Sequence, residues 1–193
     1  MPFAQPHDSL VDKNGNAISL VNPLKLHIGG KEKRADWHIF DSLDSDVVDF
    51  IGACSDLSRF PKASCSEIYC SHVLEHLSHN NELIETLRGF HRVLRSSGKL
   101  MVSVPDLDVL CRLFAKPDLD MEQRRLVMRM MFGGQIDAYD FHKTGFSFAL
   151  LQESLIAAGF SAATQVKSFG LFTDSSEIIY LDERISLSVI ATP

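Results

Sequence analysis

Several functional classes are excluded by what this chain has little of. Nowhere in its 193 residues does an uninterrupted apolar run approach the roughly 20 residues needed to span a bilayer. The first ten residues, MPFAQPHDSL, lack the basic-then-apolar pattern of a secretion signal, so a cytoplasmic protein without a membrane partner is expected. Cations are short as well: 19 Lys and Arg face 25 Asp and Glu, a net charge of −6, and no basic stripe is present. Such a balance speaks against a broad phosphate-tracking surface, and nucleic acid is not the expected partner. The four cysteines, Cys54, Cys65, Cys70 and Cys111, include no C-x-x-C pair. Neither a zinc ribbon nor a dithiol redox centre fits that spacing, which leaves free thiols in a reducing compartment. Cys70 falls in a predicted strand and Cys111 in a predicted helix, and both read as core-packing residues. Internal repeats, low-complexity tracts and linkers are missing too. Residues 1–193 therefore read as one domain, with 1–22 as an amino-terminal extension in which Asn14-Gly15 could turn between two short strands.

The most organised stretch is Ser66 to Leu107, SEIYCSHVLEHLSHNNELIETLRGFHRVLRSSGKLMVSVPDL. Glu67 to Ser71 is a short apolar run that stops at the polar His72, as a buried parallel strand does at its carboxyl end. Asn80 or Asn81 is placed to cap a helix in which Leu83, Leu87, Phe90 and Leu94 recur at helical spacing, ending on Arg95 before Gly98. Lys99 to Val104 reads as the next strand, closed by Pro105 and Asp106. Strand, helix, strand is a βαβ unit and marks a parallel sheet.

Around this unit, Leu24, Leu26 and Ile28 alternate into Gly29-Gly30, a strand entering a tight loop. So few residues then precede Trp37 that a first crossover helix has almost no room. His38 to Phe40 and Val47 to Ile51 read as short strands, Asp106 to Phe114 and Met121 to Phe132 as helices. Ser147 caps a last helix with Leu151, Leu155 and Ala158 facing inward and Gly159 just beyond it. Ile185, Leu187 and Val189 alternate with Ser186 and Ser188 as a final strand. The order predicts an α/β fold whose sheet is mainly parallel with an antiparallel edge strand, and ligands in such sheets bind at the carboxyl ends of the strands.

The motifs LKLHIGG (Leu24 to Gly30), WHIFD (Trp37 to Asp41), Asp56-Leu57, EIYCSHVLEH (Glu67 to His76), SGKLMVSVPDL (Ser97 to Leu107) and MMFGGQIDAYDFH (Met130 to His142), taken together, resemble the class I S-adenosylmethionine-dependent methyltransferases. More narrowly they resemble a subgroup of predicted methyltransferases with IGG and SHVLEH motifs. The resemblance implies a Rossmann-like three-layer sandwich, S-adenosylmethionine as cofactor, and methyl transfer to a small-molecule or otherwise unidentified acceptor. It places Ile28, Gly29 and Gly30 at the cofactor cradle, Asp41 at the ribose hydroxyls, Asp56 and Leu57 at the adenine, and Ser71 and His72 at the strand end beside the cofactor. The usual GxGxG of such enzymes is replaced here by Gly29-Gly30 followed by Lys31-Glu32-Lys33-Arg34, whose cations are candidates for the cofactor's carboxylate.

Residue chemistry keeps other readings open. An ionised Asp41 has the two acceptors that a diol requires, and Asp56 could equally cap a turn or helix. His72 and His142 titrate near neutrality and are the candidate bases for an acceptor proton. The segment carrying His142 is expected to wall the acceptor pocket with that ring directed at His72. Met128, Met130 and Met131 beside Phe132 fit core packing or an adaptable substrate wall. HVLEH is also the H-x-x-E-H pattern of inverted zinc proteases, in which His72 and His76 would bind metal and Glu75 act as base. The strand before His72 and the polar turn after His76 speak against the long helix that motif needs, so no metal ligand is assigned. A zinc hydrolase and a non-catalytic methyltransferase-like protein remain the alternatives.

Overall fold

The computed structural model describes residues 9–193. Strands β1 (Ser9–Val11) and β2 (Ala17–Ser19) form an antiparallel hairpin about Asn14 and Gly15, and the partly buried Leu10, Ile18 and Leu20 pack it onto the main core. Then come β3 (Leu24–Ile28), β4 (His38–Asp41), β5 (Phe50–Ile51) and β6 (Cys65–Ser71), followed by α1 (Glu82–Val93) and β7 (Leu94–Pro105). Helices α2 (Leu107–Phe114), α3 (Met121–Phe132) and α4 (Phe148–Ala157) lead to β8 (Ala162–Val166). The two-residue strands β9 (Ile179–Tyr180) and β10 (Glu183–Arg184) pair with each other, and β11 (Ser186–Thr192) completes the sheet.

The main sheet has seven strands in the order β5-β4-β3-β6-β7-β11-β8. All pairings from β5 to β7 are parallel, and β11 runs antiparallel to both β7 and β8. The antiparallel strand therefore lies one place in from the edge. Chain order runs outward from β3 to β5 and resumes beside β3 at β6, so the topological switch point is the crevice between β3 and β6. Strands this apolar, buried on both faces, read as the short runs seen in the sequence.

One face is covered by α1 and α4, whose Leu83, Leu87, Phe90, Leu151 and Leu155 meet Leu26, Ile68, Leu100 and Val102 in a single cluster. The opposite face carries loop in place of helix: Trp37, Tyr69, Met101 and Phe172 form a separate buried cluster with Phe169 and Leu171. Residues 29–37 join β3 to β4 with no helix between them, as the shortage of residues before Trp37 requires. Among the described residues no helix is long and apolar enough to cross a membrane.

Local differences from the sequence reading have local causes. Asn81 is the α1 N-cap by position but makes no side-chain cap; the Glu82 carboxylate accepts from the Ser78 N–H at 2.8 Å instead. Helix α1 stops at Val93, and Leu94 and Arg95 already belong to β7, since Leu94 pairs with Cys65. Cys111 is exposed because Leu110 and Leu113 face inward and a step of 100° carries their neighbour outward. Helix α3 buries Val127 with Met130 and Met131 packed beside it, which turns Met128 and Phe132 to solvent.

Candidate functional site

A cavity of about 380 Å³ opens at the carboxyl ends of β3, β4, β5 and β6, within the size range of small-molecule and cofactor sites. Ile28 and Gly29 line it from the end of β3, Phe40 to Leu43 from β4, Gly52 to Ser55 from the loop after β5, and His72, Val73, His76 and Leu77 from the turn after β6. Ala138, Tyr139, Phe141 and Lys143 form a further wall, and Lys31 and Glu82 also line the cavity.

The β3 end works because of two small residues. Gly29 has φ +71, a left-handed conformation that side chains resist, and a Cβ there would meet Val73 Cγ2 at 2.7 Å. A Cβ on Gly30 would meet the buried His27 ring at 2.6 Å, so Gly30 packs backward on the sheet and does not line the cavity. At the end of β4, Asp41 is 8% exposed. Its Oδ1 accepts from the Leu43 N–H at 2.9 Å, and Oδ2 accepts from Lys31 Nζ at 2.6 Å. The Lys31 side chain is 71% exposed, so this pair sits at the mouth where the cation can swing into water. Lys33 and Arg34 are engaged elsewhere, with the Asp49 carboxylate and the Leu171 carbonyl.

After β6 the backbone turns sharply. His72 has φ +54, unusual for a residue with a side chain, and its N–H donates to the Ser103 carbonyl at 2.8 Å. The ring lines the cavity, but Nε2 lies 2.9 Å from Ser186 Oγ and Nδ1 lies 3.3 Å from Glu75 Oε1. With both nitrogens facing protein groups, the imidazole acts as a base toward a ligand only if one of these contacts opens. Glu75 is 1% exposed, and its carboxylate oxygens have no hydrogen-bond partner among the described residues.

Of the residues singled out in the sequence, Ile28, Gly29, Asp41 and His72 meet at this cavity; Gly30, Asp56, Leu57, Ser71 and His142 are not on its lining. Asp56 is exposed, and its Oδ1 accepts from the Ser58 N–H at 2.9 Å, the turn-capping role its residue type also allows. Leu57 is a core residue whose carbonyl receives Arg92 Nη2. Ser71 holds its Oγ buried without a partner. His142 falls between two lining residues, Phe141 and Lys143, and its ring stacks edge-on to His76 at 5.0 Å, with its Nδ1 buried behind the wall. Burial lowers its pKa, with the nearby Glu75 opposing the shift. Phe141 and Lys143 of this loop thus line the cavity, while His142 between them packs against His76. Sequence reasoning missed Ser42, Leu43, Cys54 and Ser55; the first two follow directly on a strand end, where ligands of open α/β sheets bind.

The H-x-x-E-H reading finds no support. His72 stands at the end of a strand, and only a single turn of 3₁₀ helix, Leu74–His76, follows. That arrangement cannot set both histidines on one face of a continuous helix.

Residues 32–102 match a protein family described as a methyltransferase domain. No curated protein matches the chain. Among solved structures, a SAM-dependent methyltransferase from Archaeoglobus fulgidus superposes with a TM-score of 0.55 at 16% identity, over 90% of this chain and 87% of that one. A SAM-dependent methyltransferase from Thermotoga maritima gives 0.54 at 15% identity, over 89% and 82%. PigF with SAH gives 0.51 at 13% identity over 88% of this chain, which spans only 50% of PigF's length. Identities this low are a likeness of fold. The strand order, the switch-point cavity and the matched stretch agree in giving the chain the fold of the class I S-adenosylmethionine-dependent methyltransferases.

Proposed function

We propose that the chain transfers a methyl group from S-adenosylmethionine to an acceptor bound beside it in the switch-point cavity. The carrying observation is the buried Asp41 carboxylate, which shares one cavity with the Ile28-Gly29 turn. A cavity of about 380 Å³ suits a nucleoside-sized ligand. When bound, the sulfonium supplies an already activated methyl group, so the protein has chiefly to position the acceptor.

In this reading Asp41 accepts from the ribose hydroxyls once Lys31 swings aside. Gly29 lets the ligand approach the backbone, and Leu43 with Cys54 and Ser55 takes the adenine side that Asp56 leaves vacant. Lys31, freed from Asp41, is long enough to meet the cofactor's carboxylate. His72 and Val73 shape the floor, and the acceptor enters past the exposed rings of Tyr139 and Phe141. The non-catalytic alternative draws on one observation, the Lys31–Asp41 bond across the ribose position. Calorimetry with S-adenosylhomocysteine tests the reading: a single site that is weakened by Asp41→Ala supports it, and absence of binding to a folded protein removes it.

A further inference from the structure

We propose that Glu75, His76 and His142 form a binding site for one divalent transition-metal cation, with zinc as the fitting ion. One donor atom from each of the three lies within 4.8 Å of the others. A buried carboxylate is ordinarily paired, hydrogen-bonded or bound to metal. Glu75 has neither oxygen hydrogen-bonded, and its near neighbour His72 Nδ1 stands at 3.3 Å. His142 Nδ1 is likewise buried and without a partner. His76 Nδ1 lies 3.2 Å from the Phe141 carbonyl, which can only accept, so the proton is fixed on Nδ1 and the Nε2 lone pair is left free. Fixing one ring nitrogen on a backbone carbonyl is how ligating histidines are usually oriented.

The backbone holds the three together. The Lys143 and Thr144 N–H groups donate to the Glu75 carbonyl at 2.7 and 3.1 Å, and Thr144 Oγ1 donates to the Leu77 carbonyl at 2.7 Å. The turn after β6 and the loop bearing His142 are therefore latched at the point where the donors converge. Two imidazoles and a carboxylate are a zinc-type set that leaves a fourth position open. Bonds of roughly 2.0 to 2.1 Å place tetrahedral donors about 3.4 Å apart, so the side chains would close in on the ion. His76 also lines the cavity, which puts the ion in its wall. The trio differs from the H-x-x-E-H assignment, since Glu75 is a ligand here and His72 is outside the set. Nothing in the proposal depends on methyl transfer.

The experiment uses the tag-free full chain, stripped with a chelator and titrated with Zn²⁺ against a chromophoric competitor, with Co²⁺ absorption as a second readout. One equivalent is expected to bind at micromolar or tighter affinity, with Co²⁺ giving the intense visible bands of a four-coordinate site. Glu75→Gln and His142→Ala should each weaken binding at least tenfold, while His79→Ala, an exposed neighbour outside the set, should leave it unchanged. If Glu75→Gln does not fold, His142→Ala decides. Absent zinc binding, or binding undiminished in His142→Ala, overturns the proposal. S-adenosylhomocysteine affinity, measured on the same stripped sample, reports on the cofactor reading separately.

Discussion

The two halves of the sheet meet at the switch point and are built by different means. From β6 to β8, helices connect the successive strands of the main sheet, and leucines from α1 and α4 fill the space above them. From β3 to β5 the connections contain no helix, and rings span the gap instead. Phe60 meets Phe40 and Phe50 edge-on at 5.4 and 5.1 Å, and on the other face Phe172 lies against His27 and Trp37 at 4.1 and 5.4 Å. An aromatic side chain buries far more surface than an aliphatic one, so a few rings replace a helix. The compact half is also the half that holds Asp41 and Gly29, so in it core and binding site share residues.

That contrast can be broken most forcefully at Phe60. It is fully buried, and Phe60→Ala should cost about 3 to 5 kcal/mol of stability, against about 2 to 5 for Leu87→Ala in the helical half. Only the first should also weaken S-adenosylhomocysteine, because Phe60 supports the cavity-lining Phe40. Chemical denaturation and calorimetry on both variants check this; equal effects on binding would erase the distinction.

Acid should probe the same half. Burial pushes the His27 pKa down to about 4, with Asp174 the largest opposing influence, whereas in the unfolded chain it returns to 6.5. Between those values the unfolded state binds the extra proton, so stability falls as pH drops from about 6.5 toward 4 and is unaffected by this group above 7. The loss approaches about 3 kcal/mol, at roughly 1.4 kcal/mol for each unit. His27→Phe should flatten much of that acid slope in thermal melts, and an unchanged slope would place the sensitivity elsewhere.

At the site itself, Asp41→Ala should weaken S-adenosylhomocysteine by about 1 to 3 kcal/mol in a folded protein, the range for leaving hydrogen-bonding partners unmet. The smallest effect concerns Lys31. It competes for Asp41 from a largely exposed position, so Lys31→Met should tighten binding by no more than about 1 kcal/mol. Weaker binding in Lys31→Met would mean that its contact with the cofactor's carboxylate outweighs the competition.

The elements visible beforehand are those specified by nearby residues. β6, α1 and β7 carry their own apolar spacing, and α3 begins and ends where expected because Asp120 and Gln123 form a capping box and Gly133 stops it with φ +84. Asp41 and Gly29 were legible because strand ends carry the site in any open α/β sheet. Hidden features depend on distant partners. No local pattern reveals that β11 inserts between β7 and β8, or that residues 169–172 cover the face lacking helices. The packing of His142 against His76 was equally invisible, since a loop has no period; backbone bonds from Lys143 and Thr144 to Glu75 bring the two segments together. The bond from the Ser58 N–H to Asp56 is local and was among the roles its residue type allowed.

The placement of β11 has a consequence for the order in which the sheet can form during synthesis. In the main sheet β8 pairs with β11 alone, and β11 also closes the flank of β7. Until residues 186–192 emerge from the ribosome, β8 has nothing to join, and one side of β7 offers an open ladder of amide groups. An open ladder of that kind templates the addition of foreign strands. Strand β11 is thus a keystone, and a chain that lacks residues 186–192 would present an adhesive edge on β7.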